Sequence, residues 1–284
     1  VNKGFELTLN WADKINDFHY NIGANLTFVD NEVTKFKGDE ASYSGTTMIK
    51  EGYGINTQYI YIADRIVQTQ ADLDYVQSLV DNPKLDEEGK PINYFKNFKR
   101  PELGDVLYKD MNNNGYLDDD DRVARGHGDT PRFLFNFNLG FEYKGFDFST
   151  VLSGTGSYKV QYTHMRSSYL TFGNQISKEV ADNCWHEGMT NAKYPRLMSN
   201  GDSRNTRQST IWETDKSYFK IRNIQLGYTL PQKWLQTLSL NRVRLFCSLE
   251  NFFTFTDYAG MDPETNKLTY PTMRQASFGL NVSF

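Results

Sequence analysis

The stretch Phe133-Leu134-Phe135-Asn136-Phe137-Asn138-Leu139-Gly140-Phe141-Glu142-Tyr143-Lys144 decides how this chain folds. Successive side chains of a β-strand point to opposite faces, so residues i and i+2 share a wall. One wall here reads Phe133, Phe135, Phe137, Leu139, Phe141 and Tyr143; the other reads Leu134, Asn136, Asn138, Gly140, Glu142 and Lys144. The first wall is apolar and nearly all aromatic, and the second is mostly polar. A period of two belongs to a strand and not to a helix.

The pattern recurs on both sides of this segment. Toward the N-terminus, Phe18, Tyr20, Ile22, Ala24, Leu26 and Phe28 oppose His19, Asn21, Gly23, Asn25 and Thr27. Before that, Phe5, Leu7, Leu9 and Trp11 oppose Glu6, Thr8 and Asn10. Toward the C-terminus, Phe146–Gly156 alternates through Phe146, Phe148, Thr150 and Leu152. Ile224, Leu226, Tyr228 and Leu230 line a fifth strand, whose earlier residues Phe219 and Ile221 have the other parity. A bulge near Asn223, or departure from a membrane there, accounts for the change of phase. Val243, Leu245, Cys247 and Leu249 line a sixth, against Arg242, Arg244, Ser248 and Glu250; Phe278, Leu280, Val282 and Phe284 line the last.

Alternation by itself fits two architectures. A soluble antiparallel sandwich buries the apolar wall in its core, whereas a membrane barrel turns it to lipid. Two features favour the barrel. The apolar walls are unusually aromatic, and the connections alternate between tight turns (Asp13–Asp17, Lys144–Phe146) and long excursions, about Lys37 to Arg132 and Gln161 to Ser217. If the last strand ends near the periplasm, both tight turns fall on that side and both excursions lie outside, the asymmetry of outer-membrane barrels. The expected fold class is all-β: an antiparallel transmembrane β-barrel, of which residues 1–284 form a single incomplete domain of about seven strands, with Val1–Trp11 and Ser277–Phe284 at the edges.

Composition agrees. Aromatic residues make up 15% of 284 residues, with 20 Phe and 18 Tyr, yet hydrophobic residues reach only 38% and the mean hydropathy is −0.63. An alternating strand looks polar on average while one face is greasy, and no run approaches the roughly 18 apolar residues of a spanning helix. Lys plus Arg number 31 against 35 Asp plus Glu, with no basic block to track phosphates, so nucleic acid is not an expected partner. Cys184 and Cys247 have no disulfide framework around them. The chain starts at Val1 without a signal segment, which reads as an internal start within a longer parent.

One constellation carries site chemistry. Asp110-Met111-Asn112-Asn113-Asn114-Gly115-Tyr116-Leu117-Asp118-Asp119-Asp120-Asp121 has the spacing of a calcium loop: oxygens at the first, third and fifth positions, Gly at the sixth, an apolar residue at the eighth and an acid at the twelfth. Asp110, Asn112 and Asn114 would offer side-chain oxygens, Tyr116 its carbonyl, Asp118 an oxygen directly or through water, and Asp121 would close the shell around a structural Ca2+. Asp at the twelfth position reaches less far than Glu, and no helical pattern flanks the loop; a solvated acidic turn is the alternative. No catalytic set appears. His19, His127, His164 and His186 lack metal-ligand spacing, and phosphate-loop, dinucleotide and nucleophile-elbow motifs are missing. The chain is therefore not expected to be an enzyme.

A set of short motifs, in this order, resembles the C-terminal part of SusC/RagA-type TonB-linked outer-membrane proteins. They are Asn2-Lys3-Gly4-Phe5-Glu6-Leu7, Glu51-Gly52-Tyr53, Gly104-Asp105-Val106-Leu107-Tyr108-Lys109-Asp110 and Tyr143-Lys144-Gly145-Phe146-Asp147. Leu226-Gly227-Tyr228-Thr229-Leu230-Pro231, Glu250-Asn251-Phe252-Phe253-Thr254-Phe255 and Gly260-Met261-Asp262-Pro263-Glu264 follow, and a strand ending in Phe284 closes the set. The resemblance implies a barrel of about 22 strands in the outer membrane, its lumen holding a plug domain absent from this chain. It implies import of oligosaccharides or peptides with a SusD-like lipoprotein as lid, and TonB supplying energy through the missing N-terminal region. Phe284 would serve as the assembly signal. Lumen-side Glu6, Arg242, Arg244 and Glu250 are expected to pair with one another or with the plug. Tyr162, Tyr169, Phe172, Trp185 and Trp212 are expected to pack the long connections rather than stack on sugars. The rival reading is a soluble or surface-attached, calcium-stabilised β-sandwich for adhesion or carbohydrate binding.

Overall fold

The structure, a computed structural model, describes residues 1–284 apart from 38–39, 127, 129, 157, 164–165, 167–175, 199–202, 237–239, 266–269 and 271. In chain order the strands are β1 (Asn2–Ile15), β2 (Phe18–Asn31), β3 (Ser42–Ser44), β4 (Thr47–Ile49), β5 (Thr57–Tyr61), β6 (Ala63–Ile66), β7 (Val106–Tyr108) and β8 (Arg122–Arg125). Then come β9 (Phe133–Tyr143), β10 (Phe146–Gly156), β11 (Lys159–Gln161), β12 (Glu213–Asp215), β13 (Tyr218–Thr229), β14 (Arg242–Thr256) and β15 (Gln275–Ser283). Among the described residues the longest helix is α1 (Gln70–Asp81). The chain divides into two compact units: Val1–Asn31, Thr130–Tyr158 and Asp215–Phe284 form one, Glu32–Asp129 and Lys159–Thr214 the other.

The first unit is one seven-stranded sheet in the order β1-β2-β9-β10-β13-β14-β15, every pairing antiparallel. The seven strands are the seven read by alternation, and the edges are the two expected. Their bounds are longer: β1 runs to Ile15 rather than Trp11, so the turn contracts to Asn16-Asp17, and β14 continues to Thr256. Charged Asp13 and Lys14 interrupt the apolar pattern but leave the backbone ladder to β2 intact. The Lys144-Gly145 turn has positive φ at both residues (49° and 89°), the backbone that matches strand twist in a two-residue hairpin. The phase change in the fifth strand is a bulge: adjacent Val151 and Leu152 of β10 pair with Asn223 and Ile221, leaving Arg222 as the extra residue on that side, while β14 sets Asn251 and Phe252 opposite it.

Register carries the apolar wall across the whole sheet. Phe5, Phe28 and Phe133 form one row, and Leu7, Leu26, Phe135, Gly154, Phe219 and Phe255 the next. The middle rows are more aliphatic: Leu9, Ala24, Phe137, Leu152 and Ile221, then Trp11, Ile22, Leu139, Thr150, Ile224 and Leu249. Beside the tight turns the rows become aromatic again through Tyr20, Phe141 and Phe148, and through Phe18, Tyr143, Phe146 and Tyr228. Rings meet across strands in both belts, as in Phe135–Phe219 at 6.2 Å and Phe146–Tyr228 at 4.5 Å between centroids. Gly154 permits the first contact, because a Cβ there would lie 2.3 Å from the Phe135 ring. Two aromatic girdles around an aliphatic band are the form a lipid-facing surface takes. From Phe5 to Ile15 is about 33 Å along a strand, or about 25 Å of membrane at a tilt of about 40°.

This wall is uncovered. Phe5, Trp11, Phe255 and Phe278 are 59%, 62%, 57% and 84% exposed. A sandwich would have buried them, so the described residues do not form that alternative. The buried apolar clusters belong instead to the second unit: Tyr61, Phe98, Val106, Tyr108 and Leu117 in one, Val67, Val76 and Leu107 in the other.

The second unit shows that the long excursions are folded, which turn signals alone did not reveal. It holds a sheet in the order β3-β4-β5-β8, the β6-β7 pair and α1. Asp105, fully buried, ties its two sequence-distant parts together. Its carboxylate accepts from Arg196 Nε at 2.7 Å, Arg204 Nη1 at 2.8 Å and Asn205 Nδ2 at 2.9 Å. Trp212 is buried with its ring N–H on the Asn205 carbonyl, Tyr162 is buried, and Trp185 packs where a Cβ on Gly104 would go. These three aromatics pack the connections, as expected. Tyr169, Phe172, His127 and His164 lie outside the described residues.

Candidate functional site

Two places deserve a chemical account: the polar wall of the sheet and the acidic loop of the second unit. The polar wall follows from the same register. On β1, β2 and β9 it is rich in uncharged amides and hydroxyls: Thr8, Asn25 and Asn136 share a row, as do Asn10, Gly23 and Asn138. On β10, β13 and β14 it carries charges. Arg244 grips Asp147 with two bonds, Nε to Oδ1 at 2.9 Å and Nη2 to Oδ2 at 2.5 Å. The expected partners of Arg244 were other flagged charges or a plug; its partner is Asp147, two strands away across β13. Side chains of this kind hydrogen-bond water or polar solute and suit the aqueous side of a barrel wall.

In the acidic loop each candidate ligand can be located. Asp110 Oδ2 accepts the Gly115 N–H at 2.8 Å, closing the first residue on the sixth. Gly115 adopts φ +92°, which favours glycine. Asn112 Oδ1 takes the Asn114 N–H at 3.0 Å, and Asn114 Oδ1 takes the Tyr116 N–H at 3.1 Å. Asp118 Oδ1 accepts from Asp120 N at 2.9 Å, and its Oδ2 from Asn114 Nδ2 at 3.0 Å. Asp121 is fully buried and accepts from Met111 N at 2.8 Å and Asp118 N at 2.9 Å. Burial pushes its carboxyl above the ordinary aspartate value, with Asp110 adding repulsion and the N–H donors opposing. The six residues thus wind one loop.

The donor set is mixed in its fit to a hard cation. Asp121 spends its oxygens on backbone N–H groups, and among the described residues no three acidic, histidine or cysteine side chains converge. Asp110 Oδ1, however, is buried with no hydrogen-bond partner. Beside the loop is a cavity of about 400 Å³ whose wall includes Tyr75, Tyr94, Lys84 and Asp110. Its charges are largely matched: Lys84 Nζ donates to the Asn113 carbonyl at 2.7 Å, and Asp64 pairs with Arg65 at 2.7 Å.

The residues that sequence reading missed are Asp105, Asp147, Lys220 and Arg222. Asp105, Asp147, Asp262 and Glu264 did stand within the short motifs, but nothing in their spacing names partners 42 to 99 residues away.

No family model matches the chain. Curated relatives do, over its full length. It is 28% identical over 313 residues to TonB-dependent receptor P3 of Formosa agariphila and 26% identical over 292 residues to TonB-dependent receptor SusC of Bacteroides thetaiotaomicron. It spans only 28% and 26% of those proteins' lengths. Among solved structures, one described as the RagAB peptide transporter superposes with a TM-score of 0.68 at 20% identity, covering all of this chain and 29% of that one. The same importer in its closed-closed state gives 0.68 at 19% identity. The sheet is therefore part of an antiparallel barrel wall of that kind.

Proposed function

On the premise that this chain is homologous over its whole length to TonB-dependent receptors of the SusC/RagA kind, we propose that it forms the C-terminal wall segment and outer connections of an outer-membrane importer. The observation that carries this reading is the continuous, exposed apolar wall across seven strands, backed by a polar wall. Such a sheet is stable only with lipid on one side and water or polar protein on the other. The long connections would face outward, where a SusD-like lipoprotein would cap the mouth. Oligosaccharides or peptides would cross along the polar wall, and TonB would act through regions of the longer relatives that this chain does not span.

The test uses the full-length parent in its own cells. Labelled oligosaccharide and peptide pools are offered to cells with and without the gene, and an epitope is inserted in the exposed Asp86–Lys90 turn. Loss of uptake of one pool on deletion, with the epitope accessible to antibody on intact cells, is expected. Unchanged uptake of both pools, or an epitope reached only after lysis, overturns the reading.

We also propose that the Asp110–Asp121 loop holds a structural calcium ion, with Asp110, Asn112, Asn114, Tyr116, Asp118 and Asp121 as its ring of oxygens. The support is the loop spacing and the buried Asp110 Oδ1, which has no hydrogen-bond partner. Calcium titration should lower protease cleavage at this loop, and Asp110→Ala should abolish that effect while leaving the sheet intact. Cleavage indifferent to calcium in the unaltered protein overturns the proposal.

A further inference from the structure

The polar wall is covered over part of β10 and β13 and open on either side, at Asn25 and Asn136 and at Thr254. Asn25, Asn136, Ser153, Lys220 and Thr254 form a single cross-strand row. They share one depth along the strands, so depth cannot explain differences among them. Asn25 and Asn136 are exposed, as befits residues facing water. Ser153 and Lys220 are 3% and 2% exposed.

What covers Lys220 is the connection from β14 to β15. β14 ends at Thr256, and Lys220 pairs with Thr254, inside that end. Yet Glu264, well beyond the strand, places Oε2 2.5 Å from Lys220 Nζ. Tyr218 donates its hydroxyl to Glu264 Oε1 at 2.9 Å. The Arg222 guanidinium joins Glu264 to the wall, with Nε donating to Ser153 Oγ at 2.5 Å. Asp262, 6% exposed, lies 3.7 Å from Lys220 Nζ, accepts the Glu264 N–H at 2.9 Å and takes the Thr272 hydroxyl. The connection therefore turns back along the polar wall instead of projecting from the strand ends. The bulge contributes directly, because the extra residue it inserts opposite β10 is Arg222. While the segment covers it, the Lys220 ammonium is tolerable only because Glu264 and Asp262 lie beside it.

We infer that the Gly260-Met261-Asp262-Pro263-Glu264 segment is a fixed constriction on the polar wall, bolted there by Lys220 and Arg222. It narrows the passage at the end that carries the long connections. Lys220 and Arg222 face the carboxylates of Asp262 and Glu264, and the buried Lys216 acts on Asp262 as a third cation. Lys220 and Glu264 are its positioning residues. This rests on the polar wall being the pathway side of the proposed importer.

The test uses the full-length parent, with Cys184 and Cys247 replaced by Ser, reconstituted in lipid vesicles and probed with a membrane-impermeant maleimide. Ser153→Cys should react about tenfold or more slowly than Asn136→Cys in the same row. Adding Lys220→Met with Glu264→Gln, which removes opposite charges together, should bring Ser153→Cys to the Asn136→Cys rate. Lys220→Arg should keep the protection, and an unchanged Asn136→Cys rate throughout shows that the wall still folds. Equal rates at the two positions with the anchor intact, or protection that survives the double change, overturns the constriction. Reaction at Leu139→Cys in place of Asn136→Cys overturns the pathway reading itself, whatever happens at Ser153→Cys.

Discussion

Adjacent residues on one strand have opposite tasks, and the sharpest consequence falls on Asn138 and Leu139. Leu139 sits in the aliphatic middle row beside Ile22, while Asn138 faces Gly23 on the polar wall. In the full-length parent, Leu139→Arg should destabilise by about 2–4 kcal/mol, because no water reaches the centre of the apolar band. Asn138→Arg should cost far less. Unfolding titrations in vesicles compare the two; a larger loss at Asn138 would invert the assigned walls. A second residue-scale prediction concerns Glu264. Burial raises its pKa, but hydrogen bonds from Lys220, Arg222 and Tyr218 outweigh that and hold the carboxyl below the ordinary glutamate value of 4.5. A depressed pKa stabilises the charged form, so the attachment is fully present above that ordinary value and is lost as pH falls through the lower one. Asp262 is the other carboxylate facing Lys220. Hydrogen exchange, corrected for intrinsic rate, should therefore show the 257–265 backbone protected at neutral pH and released in acid, as pH falls through the lowered glutamate value. Protection unchanged in acid would mean that packing, and not the ionised carboxylate, holds the segment.

At the scale of elements, the bulge in β13 is the point where sequence pattern and structure had to be reconciled. Alternation showed two parities in one strand, Phe219 and Ile221 against Ile224, Leu226 and Tyr228. One inserted residue brings both sets to the apolar wall. Deleting Arg222 would leave a regular strand whose two halves disagree: either Phe219 and Ile221, or the residues from Ile224 onward, must turn to the polar side. The deletion should lower assembly of the full-length parent sharply, whereas Arg222→Ala, which keeps the extra residue, should assemble and lose only the contact with Glu264 and Ser153. Heat-modifiable mobility on gels separates these outcomes, and equal assembly of the two would remove the bulge's role. The connections were less legible. Their strands are three to five residues long, too short for a period to emerge. What holds them is a buried carboxylate, Asp105, reached from residues about 100 positions away, and separations of that kind leave no local pattern.

For the whole molecule, the controlling fact is that β1 and β15 each lack a second neighbour in the sheet. Unpaired strand edges have nothing to bond with in lipid. Residues 1–284 expressed by themselves should therefore associate in detergent through these edges. Light scattering would check this, and a monodisperse, cooperatively unfolding monomer would show that the sheet closes on itself. Among the described residues no helix is long and apolar enough to cross a membrane. The alternation of short and long connections held as well: the 257–274 connection joins the long side and the 230–241 connection the short side.

The sequence by itself determined the seven long strands, their order along the chain, which of their residues share a wall, and the place of the bulge to within one residue. Each of these depends on a period of two or on a two-residue turn, properties that neighbouring residues set between themselves. Only the tertiary structure decided that the aromatic wall is uncovered, that the excursions fold as a unit around Asp105, and that Glu264 returns to cover Lys220. Those facts depend on which distant groups meet. A buried charge is tolerable only beside its counter-charge, and nothing in the order of residues between Lys220 and Glu264 specifies the path that brings them together.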